Sequence, residues 1–129
     1  MANVLVVDDE AMVRNTLNRM LANLGHQPWA ASDGAEALDL LDAIRFDLII
    51  TDVYMAAVDG MELLIRVQQR GMKIPVVVIS GGGFRSGDDV LEMAKGCGAV
   101  ATLDKPFSPE DLRRTIEPLL RERAQAPQS

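Results

Sequence analysis

Short apolar runs alternate along the chain with longer segments whose apolar residues recur every three or four positions. A strand covered on both faces reads as a continuous apolar run and an amphipathic helix as a stripe of period 3.6, so the alternation predicts βα repeated five times. Strands are predicted at 3–7 (NVLVV), 26–31 (HQPWAA), 47–51 (DLIIT), 75–80 (PVVVIS) and 99–103 (AVATL). Helices are predicted at 11–24, 34–44, 59–70, 88–96 and from 109 to about 120. Local chemistry supports the boundaries: Gly25 follows the first helix, Asp33 with Glu36 makes a capping box, and Ser108 precedes Pro109 at the start of the last helix. Pro118 lies inside that last pattern, where its missing N–H predicts a kink or an end, and the polar stretch RERAQAPQS is expected to fray.

Strand composition orders the sheet. The first, third and fourth strands are almost wholly apolar and belong at the centre, whereas Pro28 cannot donate to a ladder and assigns the second strand to an edge. The weaker AVATL takes the other edge. The result is a flavodoxin-like, doubly wound α/β fold, a five-stranded parallel sheet in the order 2-1-3-4-5. Ligands in such folds sit outside the carboxyl ends of the strands, where the order reverses between the first and third.

Composition narrows the class of partner. A length of 129 residues suits one domain, read as 1–122 with a polar tail at 123–129. A net charge of -6 argues against a nucleic-acid or anionic-membrane surface. No apolar run reaches the ~20 residues that span a bilayer. The single Cys97 excludes an internal disulfide or multi-cysteine zinc site, and MANVLVV enters a strand pattern rather than a signal peptide, so the expected location is cytoplasmic.

The chemistry concentrates at the strand ends. Val4–Val7 runs directly into Asp8, Asp9 and Glu10, three adjacent carboxylates whose mutual repulsion calls for a cation. The third strand delivers Asp52 to the same rim, the fourth Ser80, and the fifth Lys105 just before Pro106. This constellation resembles the receiver domain of two-component response regulators, in order and spacing, over about residues 3–120. The loop TDVYMAAVDG, with Met55, Asp59 and Gly60, is similar to the family's loop after its acceptor. The resemblance implies that Asp52 accepts a phosphoryl group from phosphohistidine, that Asp8 and Asp9 hold a divalent cation, and that Ser80 and Lys105 bind the phosphoryl oxygens. Mg²⁺ prefers hard oxygen ligands, so Asp8, Asp9, Asp52 and the backbone carbonyl of Tyr54 make a suitable set.

The same resemblance implies a cis Lys105–Pro106 bond, a sensor histidine kinase or histidine phosphotransfer protein as donor, and a downstream protein target. Expected behaviour is a stand-alone switch, monomer or weak dimer, that catalyses its own phosphorylation and dephosphorylation without turnover of a separate substrate. The competing reading is a Mg²⁺-dependent phosphohydrolase with an aspartyl nucleophile. Such enzymes commonly place a second acid two residues after the nucleophile, where this chain has Tyr54. Thr102 stands where receivers often carry a switching aromatic, so Ser80, Gly81, Gly82 and Gly83 are expected to carry the conformational change. Met12, Leu91 and Pro106 are the candidate partner contacts.

Overall fold

The computed structural model describes residues 2–52, 60–80, 96 and 98–125. The segment 53–59, the glycine run after Ser80 and most of the helix expected at 88–96 lie outside the described residues. The strands are β1 (Asn3–Val7), β2 (Gln27–Ala31), β3 (Leu48–Asp52), β4 (Val76–Ser80) and β5 (Ala99–Asp104). The helices are α1 (Ala11–Asn23), α2 (Gly34–Ala43), α3 (Gly60–Gln69) and α4 (Pro109–Gln125). All strand pairs are parallel, in the order β2-β1-β3-β4-β5.

The apolar runs are continuous because the sheet is buried from both sides. Leu5 and Val7 of β1, Ile49 of β3 and Val78 of β4 pack on the side of α2 and α3 with Leu38, Leu41, Leu63 and Leu64. Val4, Val6, Leu48, Ile50 and Ile79 point the other way, toward Leu17 and Leu21 of α1 and Leu112 and Ile116 of α4. Pro28 sits on the edge strand, opposite Val4.

The predicted punctuation operates at three helix ends. Gly25, at φ 90°, takes the left-handed conformation that follows α1. Asp33 Oδ1 accepts the Glu36 N–H at 2.8 Å at the start of α2. Ser108 and Asp111 form a reciprocal box: Ser108 Oγ accepts the Asp111 N–H at 3.1 Å, and Asp111 Oδ2 accepts the Ser108 N–H at 2.9 Å.

The last helix departs from expectation. It neither ends near 120 nor stops at Pro118, but continues to Gln125. Pro118 lies on the exposed side, where water can satisfy the carbonyl that loses its partner, while Leu119 and Leu120 keep packing on the core. The next turn is tied down by Arg123, whose Nη1 donates to the Lys73 carbonyl at 2.7 Å and whose Nε lies 3.4 Å from Asp47 Oδ1. No helix among the described residues is long and apolar enough to cross a membrane.

Candidate functional site

β1 carries the buried register one residue beyond its end. Asp8 follows the fully buried Val7 and is itself fully buried. Its N–H donates to the Ala31 carbonyl at 3.1 Å, its carbonyl accepts from Arg14 Nη1 at 2.6 Å, and its Oδ1 accepts the Glu10 N–H at 2.8 Å. Only Oδ2 is left, buried and without a hydrogen-bond partner. Asp9 and Glu10 are exposed, and Glu10 occupies the N-cap of α1 without a side-chain capping bond. The Glu10 carboxylate is therefore not consumed in capping the helix, the commonest structural use of an acid at such a position.

β3 brings Asp52 to the same rim. Its register partner on β4 is Ile79, and the Thr51 hydroxyl donates to the Asp52 carbonyl at 3.0 Å. Asp52 is buried, 6% exposed. Lys105 follows β5, and its bond to Pro106 is cis, in agreement with the sequence-based expectation. Its Nζ lies 3.4 Å from Asp52 Oδ2, 3.8 Å from Asp8 Oδ2 and 4.0 Å from Glu10 Oε1.

One ammonium thus faces three carboxylates, and the electrostatics are under-compensated. Burial pushes the Asp8 carboxyl up to about 6; the Asp52 charge adds to the rise, while the Glu10 N–H and Lys105 oppose it. A second positive charge would relieve this. Carboxylate oxygens of Asp8, Asp9 and Glu10 lie within 4.8 Å of one another, all hard donors, and Asp8 Oδ2 has no hydrogen-bond partner. That donor set fits a divalent cation such as Mg²⁺ and not a soft metal.

The structure brings Asp8, Asp9, Asp52 and Lys105 together as the sequence predicts. Ser80 ends β4 with its backbone beside Asp104. The Ser80 side chain, Tyr54, Gly81, Gly82, Gly83 and Leu91 lie outside the described residues. Thr102 is half-buried on β5 opposite Val78, Pro106 is exposed, and Met12 is 81% exposed on α1. Two residues at the site escaped the sequence reading as individual candidates. Glu10 joins the acidic cluster, a role its adjacency to Asp9 suggested. Arg14 reaches back from the first turn of α1 to the Asp8 carbonyl, a contact that becomes visible only once the strand–helix turn is folded.

Comparison with known proteins agrees with this geometry. The family profile of the response regulator receiver domain matches residues 4–117. The response regulator MprA of Mycolicibacterium vanbaalenii is 38% identical over 120 residues, which are 92% of this chain and 50% of that protein. The chain therefore spans about half the length of the curated relatives it matches. Among solved structures, Vibrio cholerae chemotaxis protein CheY4 superposes with a TM-score of 0.81 at 33% identity, covering 88% of this chain and 94% of that one. The receiver domain of NtrX from Brucella abortus superposes with a TM-score of 0.85 at 30% identity, covering 92% and 98%.

Proposed function

The chain belongs to the response regulator receiver domain family, the phosphoacceptor switches of two-component signalling, and we propose that Asp52 is its phosphoacceptor. The observation that carries this assignment is the position of Lys105 Nζ, 3.4 Å from Asp52 Oδ2, on a rim where Asp8 presents a buried oxygen with no hydrogen bond. Phosphoryl transfer asks little covalent chemistry of the protein; it asks for an in-line nucleophile and for positive charge on the equatorial oxygens. An Asp52 carboxylate oxygen attacks phosphorus and forms the O–P bond as the P–N bond of phosphohistidine breaks. From a donor protonated on its other ring nitrogen, the leaving group is neutral histidine. Lys105 pairs with a phosphoryl oxygen, and the Ser80 hydroxyl donates to another after transfer.

Asp8, Asp9 and Asp52, with the Tyr54 carbonyl, would hold Mg²⁺. When bound, the ion allows the carboxylates to remain ionised together and neutralises charge on the phosphoryl oxygens. The donor is a sensor histidine kinase or histidine phosphotransfer protein, with the exposed Met12 beside the acidic turn as a docking contact. The output is an altered surface for a downstream protein, not turnover of a small substrate. Mass spectrometry after incubation with a small phosphodonor tests this reading: one phosphoryl group per chain, dependent on a divalent cation and absent from Asp52→Asn, is expected. Undiminished labelling of Asp52→Asn, or many turnovers per chain on a phosphomonoester, would overturn it.

A further inference from the structure

The acidic turn is held from behind by a residue that belongs to none of its carboxylates. Arg14 lies half-buried one turn into α1, and its Nη1 donates to the main-chain carbonyl of Asp8 at 2.6 Å. Among the described residues no carboxylate lies within ion-pair distance of its guanidinium, so the side chain is committed to a neutral carbonyl. We propose that Arg14 is a positioning residue for the metal-binding turn, fixing the Asp8 backbone so that its Oδ2 is directed into the site; this rests on the Mg²⁺ reading given above.

Between the last ladder bond of β1 and the first bonds of α1 the chain must turn through residues 8–10, and the N-cap side chain of Glu10 does not brace it. Asp8 is instead fixed at three points. Its N–H is tied to Ala31 of β2, its Oδ1 to the Glu10 N–H and its carbonyl to Arg14. Two of these bonds orient the peptide planes on either side of the Asp8 Cα, and the third sets the carboxylate rotation. Release of the carbonyl removes the restraint on the Asp8–Asp9 peptide and so loosens the turn that presents the Glu10 N–H to Asp8 Oδ1. The remaining oxygen would then no longer be held in one direction. Groups that orient a ligand without touching the metal typically contribute 10–100-fold to affinity.

A simple charge effect predicts the opposite sign. A permanent cation near the site repels Mg²⁺, so if Arg14 acted only through its charge, removing it would tighten binding. Helix propensity does not confuse the test, because Ala favours the helix at least as well as Arg. The experiment measures Mg²⁺ affinity by calorimetry and, in metal-free protein, hydrogen exchange of the Glu10 amide by NMR. We expect Arg14→Ala to bind Mg²⁺ roughly tenfold more weakly, at the low end of that range, and to exchange the Glu10 amide faster. Arg14→Lys, which keeps a donor of similar reach, should recover most of both. Unchanged or tighter Mg²⁺ binding in Arg14→Ala would overturn the positioning role. Failure of the unsubstituted protein to bind Mg²⁺ would overturn the metal reading instead, while unchanged Glu10 exchange in Arg14→Ala would separately refute the bracing of the turn.

Discussion

Replacing Asp8 by Asn should stabilise the metal-free domain at neutral pH, although it removes a residue central to the site. Burial raises the Asp8 carboxyl from 3.8 to about 6. The unfolded chain therefore loses this proton near pH 3.8 and the folded chain near pH 6. Between those values the folded state binds the extra proton, so stability falls as pH rises through the window and this contribution is flat above it. At ~1.4 kcal/mol for each tenfold change in proton affinity, the group costs the fold about 3 kcal/mol at pH 7.5, where it is ionised, and about 1 kcal/mol at pH 4.5, where the cost is that of protonating it. Asn keeps an oxygen to accept the Glu10 N–H but buries an amide NH2 where Asp8 Oδ2 finds no hydrogen-bond partner, at a cost of about 1 kcal/mol, while the lost attraction of Lys105 is already contained in the net shift. We therefore expect a net gain of about 2 kcal/mol at pH 7.5, or on the order of 8 °C in Tm for a domain of this size. The assay is urea denaturation in EDTA at both pH values, repeated with excess Mg²⁺. Mg²⁺ at 100 times its Kd adds ~2.7 kcal/mol to a protein that binds it, so the advantage of Asp8→Asn should vanish there. No gain in EDTA at pH 7.5, or the same gain at both pH values, would refute the claim that the buried charge is the source.

Lys105→Met keeps the aliphatic stem but removes the ammonium 3.4 Å from Asp52; labelling by a small phosphodonor should slow roughly 100-fold, as for loss of a preorganised charge-stabilising donor, measured by mass spectrometry over time. Phe46→Ala opens a cavity under a fully buried ring that also meets Trp29 edge-on at 6.3 Å, and should cost about 3–5 kcal/mol in urea denaturation. Arg123→Ala releases the last turn of α4 from Asp47 and Lys73 and should cost about 1 kcal/mol, with amide exchange in residues 119–125 accelerated more than in α1. Ser108→Ala breaks one half of the capping box at the start of α4 and should cost about 1 kcal/mol by the same denaturation assay.

What the chain determined locally is what depends on neighbours in sequence. Val4–Val7, Leu48–Ile50 and Val76–Ile79 are apolar at every position because both sheet faces are covered, and that pattern needs no tertiary information to read. Pro28 assigned β2 to an edge because a missing donor is a property of the residue itself. The strand ends then carried Asp8, Asp52 and Lys105 to one rim, since a parallel sheet aligns its carboxyl ends whatever the loops do. The end of the last helix was less legible. α4 continues through Pro118 to Gln125 because Leu119 and Leu120 pack on the core and Arg123 reaches residues far away in sequence, Asp47 and Lys73. The same limit applies at the site. That Asp8 is fully buried while Asp9 beside it is exposed, that one Asp8 oxygen accepts a hydrogen bond and the other does not, and that Arg14 closes on the Asp8 carbonyl are decided only when β1, β2 and α1 are in place. Residue identity sets which charges a chain possesses; burial and hydrogen bonding between distant segments set what each charge costs and where it points.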